Sequence, residues 1–236
     1  MSLKTEWAAD TNVGAVREHN EDAFFVDEAL GVGFVADGMG GHEAGEVASA
    51  VAVETVRQQM GQGATLSEAL QMAHKAILAH PQGGGRRGMG TTGVGFKVVG
   101  QQVEVAWVGD SRAYLYDGDK LYPLSKDQTP VQEMVDGGYL TVAQARTHPR
   151  RNEITQALGI GSQKVQPGTS RAYFGKGSVI LLCSDGLTEH LDDQRILAIL
   201  ASGTRFLDKT VERLITEAVK EGGSDNITVV LAKAVG

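Results

Sequence analysis

Several carboxylates in this chain stand where an apolar run meets a turn. Phe34-Val35-Ala36 leads into Asp37, and the chain then turns on Gly38, Gly40 and Gly41 before reaching His42. Glycine has no Cβ and tolerates positive φ, so a ligand or metal can approach the backbone there. Val179 to Ser184 leads into Asp185-Gly186, and Val103 to Gly109 leads into Asp110. Asp225-Asn226 is the mirror case, placed just before the apolar run Ile227 to Leu231. Four such acids brought together unpaired would repel one another and resist burial. Convergence on divalent cations, which prefer oxygen ligands, would remove that penalty. Each acid taken alone also reads as a turn aspartate, the Gly109-Asp110-Ser111 hairpin type included.

Six short motifs occur in order along the chain. They are Arg17-Glu18-His19-Asn20-Glu21-Asp22, Asp37-Gly38-Met39-Gly40-Gly41-His42, Met89-Gly90-Thr91-Thr92, Gly109-Asp110-Ser111-Arg112, Ser184-Asp185-Gly186 and Ser224-Asp225-Asn226. Together they resemble the motif series of the metal-dependent serine/threonine protein phosphatases, the type-2C or PPM family, in its compact bacterial form. The resemblance covers nearly the whole chain and implies hydrolysis of phosphoserine and phosphothreonine by a metal-bridging hydroxide. Two metals about 3.5–4 Å apart can supply such a nucleophile at neutral pH and hold both reacting oxygens.

By this resemblance Asp37 is the bridging carboxylate, and the Gly38 carbonyl, Asp185 and Asp225 complete the direct ligands. Glu21 and Asp22 would act largely through waters. Asp110, with Asp185, corresponds to the ligands of a third, weaker metal. A donor set of oxygen alone points to Mn2+ or Mg2+ rather than zinc. Arg17 matches the phosphate clamp, since guanidinium pairs with phosphate bidentately; it also reads as a surface arginine paired with Glu21 or Asp22. Arg112 has the same two readings, of which the structural one is expected. His42 stands three residues after the place where many relatives carry their histidine, which Met39 fills here. It reads either as the general acid or as a residue orienting a metal-bound water.

The implied partners are phosphorylated proteins, the substrates of a bacterial serine/threonine kinase. Two other functions compete: a pseudophosphatase that serves as a binding module, and another two-metal hydrolase such as a nuclease. No carboxylate of the set is missing, which weighs against the first. A formal net charge of −7 weighs against nucleic acid or an anionic membrane as partner.

These residues need a scaffold, and 236 residues suffice for one domain with a substantial core. The single cysteine, Cys183, excludes an intrachain disulfide framework and sits in an apolar run, which predicts an inert buried thiol. Neither a leader-like apolar region nor an apolar run of about 18 residues is evident, so the expectation is a soluble, cytoplasmic protein; a monomer is expected as well. Thr5–Asp10, Asp22–Asp27 and Leu30–Asp37 read as strands. From Glu43 the period turns helical, with Ala44, Ala48, Val51, Thr55 and Val56 on one face. Thr65 and Glu68 form a capping-box signature ahead of the stripe Leu66, Ala69, Leu70, Ala73, Ile77 and Leu78. His74 and His80 fall off that stripe or at its end and are expected to face solvent.

Pro81 to Gly88 reads as a mobile loop. Thr92–Val99, Gln102–Val108, Ala113–Tyr116 and Lys120–Leu124 read as successive antiparallel strands. Lys126 to Gly161 is polar and irregular, with short helices near Val131 and Val142; in the family a flap beside the active site occupies this position. Val165–Tyr173 and Val179–Cys183 follow as strands. Asp192 caps a short helix, and Asp208 starts a helix burying Val211, Leu214, Ile215, Ala218 and Val219, with a last strand from Ile227. Strands grouped between helix pairs predict an α+β fold, which the resemblance sharpens to a single four-layer α-β-β-α sandwich of two antiparallel sheets over residues 1–236.

Overall fold

The computed structural model describes residues 3–40, 44–81, 88–161 and 164–235. Two antiparallel sheets face each other across an apolar layer. The first takes β1 (Lys4–Asn12), β11 (Ile227–Val235), β10 (Val179–Cys183), β7 (Arg112–Tyr116) and β8 (Leu121–Pro123) in that order. The second takes β2 (Asp22–Asp27), β3 (Val32–Met39), β5 (Gly93–Val99), β6 (Gln102–Val108) and β9 (Gly168–Tyr173), with the two-residue β4 (Gly90–Thr91) beside the end of β3. Val35, Phe96, Val105, Leu182 and Val230 fill the space between the sheets.

Helices cover the outer faces. α1 (Ala44–Gly61) and α2 (Leu66–Leu78) bury their apolar stripes on the second sheet. α6 (Asp193–Gly203) and α7 (Leu207–Lys220) bury theirs on the first. The architecture is therefore the four-layer α-β-β-α sandwich. Strands β10 and β11 are buried on both faces, between the other sheet and the helices, so both read as continuous apolar runs. The edge strands β1 and β9 alternate instead.

Local signals hold where a side chain closes a turn of helix. Thr65 accepts from the Glu68 amide while Glu68 reaches back to the Thr65 N–H, forming a full capping box. Asp192 caps α6 by accepting from the Arg195 amide. Within 126–161 the two short helices are α3 (Pro130–Asp136) and α4 (Val142–Arg146). Arg112 grips the Asp127 carboxylate with two hydrogen bonds of 2.8 and 2.6 Å, its expected structural role.

Several expectations change. The strands flanking Arg17 enter different sheets, β1 joining β11 in one and β2 joining β3 in the other. The Gly109-Asp110-Ser111 turn likewise carries the chain from β6 across to the opposite sheet, helped by φ of +101° at Gly109. α7 is preceded by Phe206 at the cap, so Asp208 lies inside its first turn. α1 buries Ala48, Ala52 and Val56 at the centre of its face, with Val51 and Thr55 at the margin. The strand expected from Val165 begins at Gly168. His74 is buried rather than solvated, and His80 is half-buried with its Nδ1 enclosed. The loop expected from Pro81 to Gly88 falls largely outside the described residues.

Candidate active site

The carboxylates gather where both sheets end. β2 and β3 place Asp22 directly opposite Asp37. Asp22 is buried and crosses to the other sheet. Its Oδ2 accepts from Ser184 Oγ, which follows β10, at 2.7 Å and from Thr228 Oγ1 on β11 at 2.6 Å. Its other oxygen, Oδ1, is enclosed without a hydrogen-bond partner. Burial pushes the Asp22 carboxyl up to about 6, against the pull of those two hydroxyls.

Asp37 and Asp185, both half-buried, are pushed well above the carboxylate range. Burial is the main cause for each. Asp185, Asp22 and Asp110 add repulsion at Asp37; Asp110, Glu189 and Asp225 add it at Asp185. Asp110 is pushed up to about 7 by burial and then by Asp127. The four acids thus belong to one electrostatic group, although β3, the β6–β7 turn, β10 and β11 lie far apart in sequence. Burial also raises Glu21, which Arg17 partly offsets.

Glycines set how closely the strands and helices meet. A Cβ on Gly38 would collide with the carbonyl oxygens of Gly45 in α1 and of Glu21. One on Gly186, in the short helix α5 (Asp185–Thr188), would collide with the Asn226 carbonyl. Asn226 itself fastens the approach to Glu21. Its Oδ1 accepts from the Glu21 amide at 2.7 Å, and its Nδ2 donates to the carbonyls of Val13 and His19 at 2.9 Å each.

Arg17 is exposed and donates to Asp225 Oδ2 at 2.7 Å. It therefore pairs with Asp225, not with Glu21 or Asp22. His42 lies outside the described residues. Sequence reasoning does not single out Ser184 and Thr228 as the holders of Asp22, although Thr228 is visible as a polar residue at the start of an apolar strand. It also passes over Glu189, which lies near Asp110 and Asp185 and is hydrogen-bonded to Asn152. Nothing in the local sequence points to it.

The donor chemistry fits divalent cations. Buried carboxylates that raise one another, an enclosed Asp22 oxygen and a backbone free of Cβ at Gly38 form an oxygen-only surface for a hard cation. Among the described residues no three acids already stand in a ready coordination geometry. The fit rests on donor type and on the convergence of the acids.

A profile of the family described as Protein phosphatase 2C matches residues 15–222. The chain is 36% identical over 237 residues to the serine/threonine phosphatase stp of Listeria innocua, covering 94% of this chain and 93% of that one. It is also 36% identical over 242 residues to the serine/threonine protein phosphatase PstP of Mycobacterium tuberculosis; there it spans all of this chain but 46% of the relative. The crystal structure of the Mycobacterium tuberculosis phosphatase PstP/Ppp superposes with a TM-score of 0.88 at 35% identity, over 99% of this chain and 100% of that one. The PstP catalytic domain in complex with two manganese ions gives 0.86 at 34% identity, over all of both chains. Matched through most of its length by the profile and by relatives at this identity, the chain belongs to the protein phosphatase 2C family.

Proposed function

We propose that this serine/threonine phosphatase hydrolyses phosphoserine and phosphothreonine in proteins at a two-cation centre built on Asp37, Asp185 and Asp225. The observation that carries the reading is the convergence of Asp22, Asp37, Asp110 and Asp185 at the sheet ends, where desolvation and neighbouring acids push all four carboxyls above the usual range. Asp37 would bridge the ions, the Gly38 carbonyl, Asp185 and Asp225 would complete the direct ligands, and Glu21 and Asp22 would hold them through waters. The two manganese ions of the related PstP catalytic domain support manganese or magnesium as the resident metal. When bound, such cations activate water at neutral pH and offset charge on phosphoryl oxygens.

The chain's own groups supply the rest. Arg17, exposed beside Asp225, offers two parallel N–H donors to the phosphoryl oxygens and sets their orientation. His42 donates a proton to the departing serine or threonine alkoxide. Segment 126–161 is the flap beside the site within one catalytic domain. The substrates are proteins phosphorylated by a serine/threonine kinase, and the reading includes a monomeric, cytoplasmic enzyme.

The test is phosphate release from phosphoserine and phosphothreonine peptides with manganese present, run beside a phosphodiester and DNA. Hydrolysis of the peptides alone is the expected result. Cleavage of DNA would favour the nuclease reading, and manganese uptake without any turnover would favour the pseudophosphatase.

A third, weaker cation at Asp110 and Asp185 extends the proposal. Asp110→Ala is then expected to lower peptide turnover by about tenfold or more. Calorimetry should still count two tight manganese ions, and the melting temperature should hold. Unchanged turnover at saturating manganese would remove Asp110 from the site.

A further inference from the structure

We propose that His74 is a positioning residue for this centre, anchoring the backbone that carries Asp37 through Gly159, Leu158 and Thr91. The inference rests on the reading of Asp37 as a metal ligand and extends it to a helix whose stripe otherwise serves packing. His74 lies in α2 among Leu70, Ala73 and Ile77, and only 1% of it is exposed. An apolar residue would fill that place with no polar atom to satisfy. The imidazole instead accepts a hydrogen bond at Nδ1 from the Gly159 amide, at 3.0 Å. In neutral form it carries its proton on Nε2.

The bond holds the backbone just where the 126–161 segment returns to the sandwich. Gly159 has φ of +82°, and a Cβ there would collide with Ile77 and come within 2.9 Å of the Met89 carbonyl oxygen. Its neighbour Leu158 is fully buried and exchanges both backbone hydrogen bonds with Thr91: Thr91 N–H to Leu158 O at 3.0 Å, and Leu158 N–H to Thr91 O at 2.8 Å. Thr91 pairs in turn with Gly38.

Thr91 and Thr92 then grip Asp37. Thr91 Oγ1 and the Thr92 amide both donate to the Asp37 carbonyl at 2.8 Å, and the Asp37 amide donates to Thr92 Oγ1 at 3.2 Å. The path from His74 to Asp37 thus consists of directional bonds between buried groups. Interiors of this kind resist small shifts, so a loosened link is felt along the path. Without the His74 acceptor the Gly159 amide is buried unpaired, and the Leu158–Thr91 bridge loses its outer support. Asp37 would then be held less well in the position that binds a cation.

His74→Leu keeps the volume and removes the acceptor. His74→Asn keeps an acceptor oxygen near the Nδ1 position. The measurements are manganese affinity by calorimetry, amide exchange at Gly159 and Thr91, kcat and KM on a phosphothreonine peptide, and melting temperature. His74→Leu is expected to speed both amides, weaken manganese binding by about tenfold and lower kcat with KM for peptide unchanged. His74→Asn is expected to restore all of these. A purely structural role would move only the melting temperature, in both variants alike, and would overturn the proposal, as would wild-type manganese affinity in His74→Leu. Should the His74 variants fail to fold, Thr91→Val, which removes the side-chain bond to Asp37 further along, must show the weakened manganese affinity; wild-type affinity there refutes the path. If the wild-type protein itself binds no manganese, the metal-centre reading fails, which separates the two cases.

Discussion

Asp37→Asn is expected to lower turnover of a phosphothreonine peptide by about a thousandfold or more. Asparagine has the shape of aspartate, and the main-chain bonds from Thr91 and Thr92 do not involve the carboxylate, so the backbone at residue 37 should stay where it is. In the proposed centre the loss is one of charge at the carboxylate assigned to both cations. Both nucleophile generation and charge neutralisation depend on it, and each is typically worth several kcal/mol. The fold should survive. Burial and then Asp185, Asp22 and Asp110 push Asp37 up and so disfavour its charged form, and a neutral amide in its place adds no repulsion in the metal-free protein. Kinetics at limiting manganese, calorimetric stoichiometry and melting temperature together check the claim. Normal turnover at limiting manganese would take Asp37 out of the centre.

Stripping the protein with a chelator should abolish turnover, and added manganese or magnesium should restore it. The same treatment should expose a pH dependence of stability. The Asp22 and Asp110 carboxyls hold their protons more tightly folded than unfolded, with values of about 6 and about 7. Their contribution favours the fold fully below the ordinary carboxylate range and is lost as pH rises through those folded values. Metal-free protein should therefore melt lower at pH 8 than at pH 5, by a shift on the order of 10 °C. Bound cations favour the deprotonated carboxylates, so saturating manganese should flatten or reverse that slope. A metal-free melting temperature that rises from pH 5 to pH 8 would contradict the picture of a buried, mutually repelling acid group. Full turnover in excess chelator would sink the metal-dependent mechanism.

Elements with a local cause are legible in the amino-acid sequence. The capping box at Thr65 and Glu68 and the apolar stripe of α7 follow from contacts three or four residues apart, which sequence spacing records directly. The acids Asp37, Asp110 and Asp185 stand out because each ends an apolar run at a turn. His74 shows where this kind of reading stops. Its place off the α2 stripe predicts solvent, but the Leu158–Gly159 backbone covers that side of the helix. A helix period describes one face of one helix and is blind to what a distant segment lays over the other.

By itself, then, the sequence determined most of the strand and helix inventory, β4 and α5 excepted, the turns that end in carboxylates, and the donor chemistry that a hard cation would meet. Each depends on side-chain type and on spacings within a few residues. Only the tertiary structure decided that β1 and β2 join different sheets and that Asp22 spans those sheets through Ser184 and Thr228. It alone decided that Arg17 rests on Asp225 and that a buried histidine bonds the Gly159 backbone. These depend on which strand edges meet across the sandwich. That choice is made by burial summed over the whole core, in which no single residue carries enough of the energy to announce its partner.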